Sequence, residues 1–266
     1  MRLYDKFDGT FLTMLAMQYF NQGTKVLVGL ATQDLFKAYY NLDPGRIQTM
    51  LAFTMLPWSL KICYGLISDN LPICGSRRKS YLVTVAILQF LTMTSLGLPW
   101  SLSESTAMWM LFLSNFSIAF SDVIVDSLLV IQARKYPENG SEDLNSFAWS
   151  WMSIGGLVGS IVAGFLTESY DPRYCFLFSA AIGLLIAFVA SRLNVSLETE
   201  GLETQANSNQ GLMADIKRNC KEIKEGLMIK EIFCLIIYIV VSSFLVPSFS
   251  SFDYFFALDV IGISKF

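Results

Sequence analysis

Long apolar stretches recur along the chain, and they constrain its fold more than any other feature. A helix of about 20 apolar residues crosses a hydrocarbon core about 30 Å thick. Seven segments have this character, at about Thr10–Phe36, Arg46–Ile67, Tyr81–Trp100, Thr106–Ile131, Leu144–Leu166, Tyr174–Leu193 and Glu231–Phe256. Only 15% of the 266 residues are charged, whereas soluble domains carry about 25%. The sequence therefore predicts an all-α protein that crosses a membrane several times.

The residues that the chain lacks narrow its chemistry. It contains no histidine, and its five cysteines form no Cys-x-x-Cys pair. Histidine-based acid–base catalysis is excluded, and neither a zinc site nor a disulfide framework is indicated. No nucleophile elbow is present either. We expect no enzyme activity, no cofactor or metal, and no nucleic-acid partner.

The distribution of lysine and arginine indicates the orientation in the membrane. With the N-terminus inside, thirteen of these residues fall in inner loops and three, Lys37, Arg46 and Arg173, fall in outer loops. Cytoplasmic loops carry an excess of positive residues. The sequence thus predicts a cytoplasmic N-terminus and a cytoplasmic linker. A seven-helix receptor, which the number of segments also suggests, has its N-terminus outside, against this bias.

The order of segments resembles one half of a major-facilitator transporter followed by the start of the second half. Such folds use six-helix halves, each built from two inverted three-helix repeats. We expect a six-helix bundle in residues 1–195, a polar cytoplasmic linker in 196–230, and the truncated start of a second bundle in 231–266.

Polar residues in the segments suggest a central cavity. The third and sixth segments carry no charge in their apolar cores, so we expect them to face lipid. The first and fourth segments, which are equivalent in a three-plus-three repeat, carry polar groups instead. These are Gln18, Asn21, Gln22 and Lys25 in the first and Asn115, Asp122 and Asp126 in the fourth. Buried charge in a membrane is costly and tends to face a cavity or a partner.

The two aspartates share one helix face, because they lie four residues apart. Lys61 in the second segment lies at a similar depth to Asp122. One aspartate is expected to pair with Lys61 or Lys25, and the other to titrate or contact substrate, since adjacent carboxylates disfavour joint ionisation. A purely structural ion pair or a cytoplasmic gate lock is the alternative.

Two further motifs have structural interpretations. Asp69 precedes a turn and a basic cluster that includes Arg77 and Arg78. These residues form either an ionic clamp that holds one conformation or simple topology markers. In the fifth segment, Gly155-x-x-x-Gly159 predicts close helix packing.

Several short motifs together resemble the folate–biopterin transporter family, a branch of the major facilitators. They are Tyr19-Phe-Asn-Gln-Gly23, Leu56-Pro-Trp-Ser-Leu-Lys61, Tyr64-Gly-Leu-Ile-Ser-Asp69, Leu71-Pro-Ile-Cys-Gly75, Arg77-Arg-Lys-Ser-Tyr81 and Asp122-Val-Ile-Val-Asp126-Ser-Leu. The resemblance implies proton-coupled transport of folates or pterins by a twelve-helix protein, of which this chain is the N-terminal half. A transporter of another small solute, such as a sugar, drug or amino acid, is the alternative.

Folate chemistry suits these residues. Lys61 or Lys25 could meet a carboxylate of the glutamate moiety. Asp122 could accept hydrogen bonds from the pterin, and aromatic residues such as Trp58 and Tyr19 could stack on its ring.

Overall fold

The computed structural model describes residues 3–71, 73, 76, 78–99, 102–194, 221, 225–245, 256 and 261. The chain divides into two compact units, residues 1–204 with 264–266, and residues 205–263. Regular structure within the described residues is helical, apart from one isolated bridge between Ile73 and Ser76. The predicted all-α fold is therefore confirmed, whereas the proposed division at residues 195 and 230 stays a prediction.

The described part of the first unit contains six helical spans, after a short helix at Leu3–Lys6. Two spans are broken: the first runs through Gly9–Gly23, Lys25–Asp34 and a π-helix at Leu35–Tyr39, and the second runs through Pro44–Thr54, Leu56–Ser59 and Lys61–Asn70. The other four are single helices, Lys79–Gly97, Glu104–Ala133, Gly140–Ser169 and Arg173–Ser191.

The second to sixth spans are long and apolar enough to cross a membrane. The first is not among them, because Gln18, Asn21, Gln22 and Lys25 in its middle lower its mean hydropathy. The fourth and fifth spans reach 30 residues each, longer than their apolar segments, because the helices continue into polar sequence at both ends.

The seventh predicted segment belongs to the second unit. Its described part is the helix Lys230–Leu245, of 16 residues, in which no side chain is buried. Residues 246–255 lie outside the described part of the chain, as does most of the predicted linker.

Proline and threonine account for the breaks. Pro57 has no N–H to donate to the preceding helical turn, and the Tyr64 hydroxyl donates to the Pro57 carbonyl oxygen at 2.9 Å. In the first span, the Thr24 hydroxyl donates to the Asn21 carbonyl oxygen at 2.9 Å, an interaction that competes with the backbone ladder. As a result, Lys25 and Lys61 each begin a new helical segment.

The spans pack in a two-fold pattern. The first packs along the fifth, the second packs along the fourth, and the third and sixth pack against each other. If each span is exchanged with its equivalent three places away, the contact between the first and fifth spans becomes the contact between the fourth and second. The contact between the third and sixth spans is unchanged. Two inverted three-helix repeats produce this pattern.

Glycines let the first and fifth spans approach until their backbones touch. A Cβ at Gly155 would collide with the Phe20 carbonyl oxygen, and one at Gly159 would lie 3.1 Å from the Cα of Thr24. Small residues permit such approach in membrane helices. The close packing predicted from the glycine motif is confirmed, and its partner is the first span.

The third and sixth spans were expected to face lipid because they lack charge. The structure shows that they do not face only outward. Each presents exposed apolar residues, such as Leu91 and Phe188, but each also has a buried face. Gln89 of the third span is 3% exposed and pairs with Asn21 of the first. The expectation of lipid-facing helices was incomplete because a neutral amide does not enter a count of charges.

Two neighbouring glycines provide a test of the first–fifth contact. Gly155→Ala should lower the free energy of unfolding by about 1–3 kcal/mol, the usual cost of overpacking. Gly156→Ala is the matched control, because its Cβ would meet nothing closer than the Gly23 carbonyl oxygen at 4.0 Å. Thermal unfolding in detergent measures both variants, and equal stability would contradict the contact.

Candidate functional site

The fourth span presents the two predicted aspartates to the first and second spans. The Asp122 side chain is buried, and it accepts hydrogen bonds from the Gln22 amide nitrogen and from the Lys61 ammonium. The contact with Lys61 is also an ion pair, in which the Lys61 side chain is 38% exposed and the Asp122 side chain is 5% exposed. Asp122 therefore connects three spans at one point.

Asp126 lies one turn further along the same helix and has a different environment. Its carboxylate accepts a hydrogen bond of 2.8 Å from the Tyr19 hydroxyl. Among the described residues, no lysine or arginine lies within ion-pair distance of it. Tyr19 is buried at the centre of the first span.

Trp58 joins the remaining predicted residues. The Lys25 ammonium lies 3.2 Å from the centroid of its ring, and the Lys61 ammonium lies 4.7 Å from it. The indole N–H donates to the Asn115 side-chain oxygen at 3.2 Å. Asn115 in turn donates from its side-chain nitrogen to the Leu111 carbonyl oxygen at 3.1 Å.

A small cavity adjoins this cluster. It has a volume of about 70 Å³ and is lined by residues of the first, second, third, fourth and sixth spans. Its polar lining includes Asn21, Lys25, Ser114 and Asn115. A water needs about 10–15 Å³ measured in this way, so the cavity has room for a few waters, whereas ligand pockets usually reach 300–1,000 Å³.

A reciprocal amide pair behind the cavity was not predicted. Asn21 donates to the Gln89 side-chain oxygen at 3.1 Å, and Gln89 donates back to the Asn21 side-chain oxygen at 3.0 Å. Both amides are buried. Gln89, the one amide residue of the third segment, is the sequence signal that could have indicated it.

The structure thus brings together all six residues proposed for substrate or proton binding: Gln22, Lys25, Lys61, Asn115, Asp122 and Asp126. Trp58 and Tyr19 were predicted as stacking surfaces for the ligand. Trp58 contacts two ammonium groups and Tyr19 hydrogen-bonds a carboxylate, while stacking on a ligand stays a prediction. The roles of these residues in binding or proton transfer stay predictions.

The proposed clamp is partly described. Arg78 lies 3.6 Å from the Asp69 carboxylate, and it is largely buried whereas Asp69 is half exposed. Arg77 lies outside the described residues. A second contact at the same end of the bundle was not predicted, an ion pair of 2.7 Å between Lys6 and Asp143.

Comparison with known proteins gives related transporters. Residues 22–265 match the BT1 family. "Probable folate-biopterin transporter 4" of Arabidopsis thaliana is 32% identical, over 66% of this chain and 36% of its own length. The folate-biopterin transporter of Synechocystis sp. is 32% identical, over 71% of this chain and 38% of its own length. Folate transporter 1 of Plasmodium falciparum is 27% identical, over 69% of this chain and 35% of its own length.

The chain therefore spans little more than a third of the length of these relatives. Their names confirm the resemblance to folate–biopterin transporters and argue against an enzyme.

A solved structure confirms the fold. The D-xylose-proton symporter superposes with a TM-score of 0.54 at 18% identity, over 85% of this chain and 54% of the symporter. At this identity the likeness concerns the major-facilitator fold alone. Together with the apolar spans and a family match that covers most of the sequence, it shows that the chain is an integral membrane protein and belongs to the BT1 family.

Proposed function

We propose that this chain forms the N-terminal half of a proton-coupled transporter that moves folates or pterins across a membrane by alternating access. The observation that carries the proposal is a cluster of four ionisable residues inside the bundle. Lys25 and Lys61 lie against Trp58, Asp122 pairs with Lys61, and Asp126 accepts a hydrogen bond from Tyr19. Ionisable residues inside a bundle are expensive and mark substrate or ion pathways. The names of the relatives suggest the substrate class.

A second bundle would complete the site. Major-facilitator transporters bind substrate between two six-helix halves, and the cavity in this bundle is smaller than a usual ligand pocket. The apolar helix Lys230–Leu245, with no buried side chain, supports a second bundle that starts at about residue 231. Residues 196–230 would then form the linker between the halves.

The two carboxylates differ in their partners, and we assign them different roles. Asp122 is neutralised by Lys61 and held by Gln22, so we assign it a fixed charge that connects the spans. Asp126 has a hydroxyl partner and no cation among the described residues. We therefore assign the coupled proton to Asp126, which faces Tyr19 from the first span and lies near Lys61 of the second and Asp122 of its own helix.

A transporter of the same fold for another solute is the second candidate, because the fold serves many substrates. Uptake of radiolabelled folate, biopterin, sugars and amino acids by cells that express the complete gene product separates the two. Uptake of a sugar or amino acid without folate or biopterin would reject the proposed substrate class. A seven-helix receptor would transport none of these compounds.

Asp122→Asn should abolish uptake. The substitution removes the negative charge that the Lys61 ammonium contacts, and with it the ion pair that joins the second span to the fourth. Uptake and surface expression are measured together, with Ser127→Ala as control, since that hydroxyl bonds only the backbone of its own helix at Ile124. Normal uptake by Asp122→Asn would reject the central role of the pair.

Asp126→Asn should separate coupling from substrate movement. If Asp126 carries the proton, the variant loses accumulation driven by an acidic exterior, because the amide cannot be protonated in this range. Exchange of labelled for unlabelled substrate across the membrane should persist. Loss of exchange together with accumulation would show that Asp126 serves substrate binding or folding instead.

The charge distribution also supports a cytoplasmic N-terminus. A reporter tag fused before Met1 should be inaccessible to protease added to intact cells, and become accessible after the membrane is permeabilised. Cleavage in intact cells would reverse the proposed orientation. It would also place the proposed Asp69–Arg78 clamp on the outer side.

A further inference from the structure

Lys25 is the one member of the cluster whose positive charge no described carboxylate neutralises at ion-pair distance. Its ammonium lies instead over the face of Trp58, 3.2 Å from the ring centroid. The electron-rich face of an indole attracts a cation without cancelling its charge. The Lys25 charge is therefore held in place and remains available to a bound anion.

Lys61 provides the internal comparison. It lies near the same ring, at 4.7 Å, but its ammonium is paired with the buried Asp122 carboxylate. An anion bound at Lys61 would have to compete with a carboxylate already in contact. Of the two lysines that the sequence left open as carboxylate ligands, the contacts favour Lys25.

Two contacts position the Trp58 ring. The indole N–H is bonded to Asn115 at 3.2 Å, and the Lys25 ammonium occupies one ring face. That face is closed to a pterin, because an ammonium 3.2 Å from the centroid occupies the space of a stacked ring.

Lys25 also lines the cavity beside the cluster, where a second polar group is available. Ser114 is 1% exposed and lines the same cavity. Its hydroxyl has no hydrogen-bond partner among the described residues. A buried hydroxyl without a partner is costly, and a carboxylate oxygen would accept its proton. The cavity thus has an ammonium-bearing and a hydroxyl-bearing side chain in its wall, two groups that a carboxylate binds.

We propose that Lys25, held on the face of Trp58 and assisted by Ser114, is a subsite for one carboxylate of the substrate, with Trp58 as its positioning residue. The proposal rests on the proposed transport of folates and pterins. It names the feature that distinguishes the two ligand types, because folate carries a glutamate moiety and biopterin has no carboxylate. The subsite therefore favours folate without contributing to the binding of biopterin.

The test compares the KM for folate with the KM for biopterin in cells that express the complete gene product. Lys25→Gln removes the ammonium that would bind the carboxylate, and Trp58→Leu removes the ring face that holds this ammonium. Each should raise the KM for folate by about tenfold, the lower end of the effect of a hydrogen bond to a charged group, and leave the KM for biopterin nearly unchanged. Trp58→Phe keeps an aromatic face and should retain most of the folate affinity. Phe53→Leu is the control, because it removes another aromatic contact between the second and fourth spans, with Phe112.

The outcomes separate the two proposals. If the unsubstituted protein takes up neither compound, the proposed function fails. If it takes up both and the variants impair both equally, transport stands and the subsite is rejected. If Trp58→Leu fails to reach the membrane, Lys25→Gln and Trp58→Phe provide the test. The subsite is supported if Lys25→Gln selectively loses affinity for folate and Trp58→Phe retains it. Equal losses in these two variants overturn it.

Discussion

The buried carboxylate of Asp122 is the constraint on which the arrangement of the spans depends. A charge inside an apolar bundle must be paired and hydrogen-bonded, because its desolvation is otherwise unfavourable by several kcal/mol. Asp122 meets this requirement with Lys61 from the second span and Gln22 from the first. Both partners must therefore lie at the depth of Asp122, which fixes the heights of these two spans against the fourth.

The glycine contact of the fifth span makes that arrangement possible. Gly155 and Gly159 allow the backbone of the first span to lie directly against the fifth at Phe20 and Thr24. This contact surrounds the break at Thr24, after which Lys25 begins. The same short segment is thus packed by small residues on one side and carries Tyr19, Gln22 and Lys25 towards the cluster on the other. Packing and site geometry are consequently determined by the same few turns of helix.

Much of this could be predicted from the sequence, and the remainder depended on relations between spans. Hydropathy located the helices, and the spacing of Asp122 and Asp126 placed both on one face, because those are properties of a single segment. Which lysine pairs with Asp122 stayed open, because it depends on how the broken second span is turned. The lysine that lies over the face of Trp58 was not predicted, because the sequence does not show which side chains of two different helices meet. The Asn21–Gln89 pair was missed because the third segment was assessed by its charges alone, and the neutral amide of Gln89 does not enter that count.

The cluster contains one lysine and aspartate in a direct ion pair, and one lysine and aspartate that are not in contact with an opposite charge. Lys61 and Asp122 neutralise each other, whereas Lys25 and Asp126 each rest on an aromatic side chain, Trp58 or Tyr19, that holds them without cancelling their charge. With all four groups ionised the cluster has no net charge, so an added carboxylate would leave it negative in a medium where unbalanced charge is costly. Protonation of Asp126 removes that excess. In the proposed assignment, an anionic substrate and a proton bind together because their charges balance within the site. No further coupling mechanism is required.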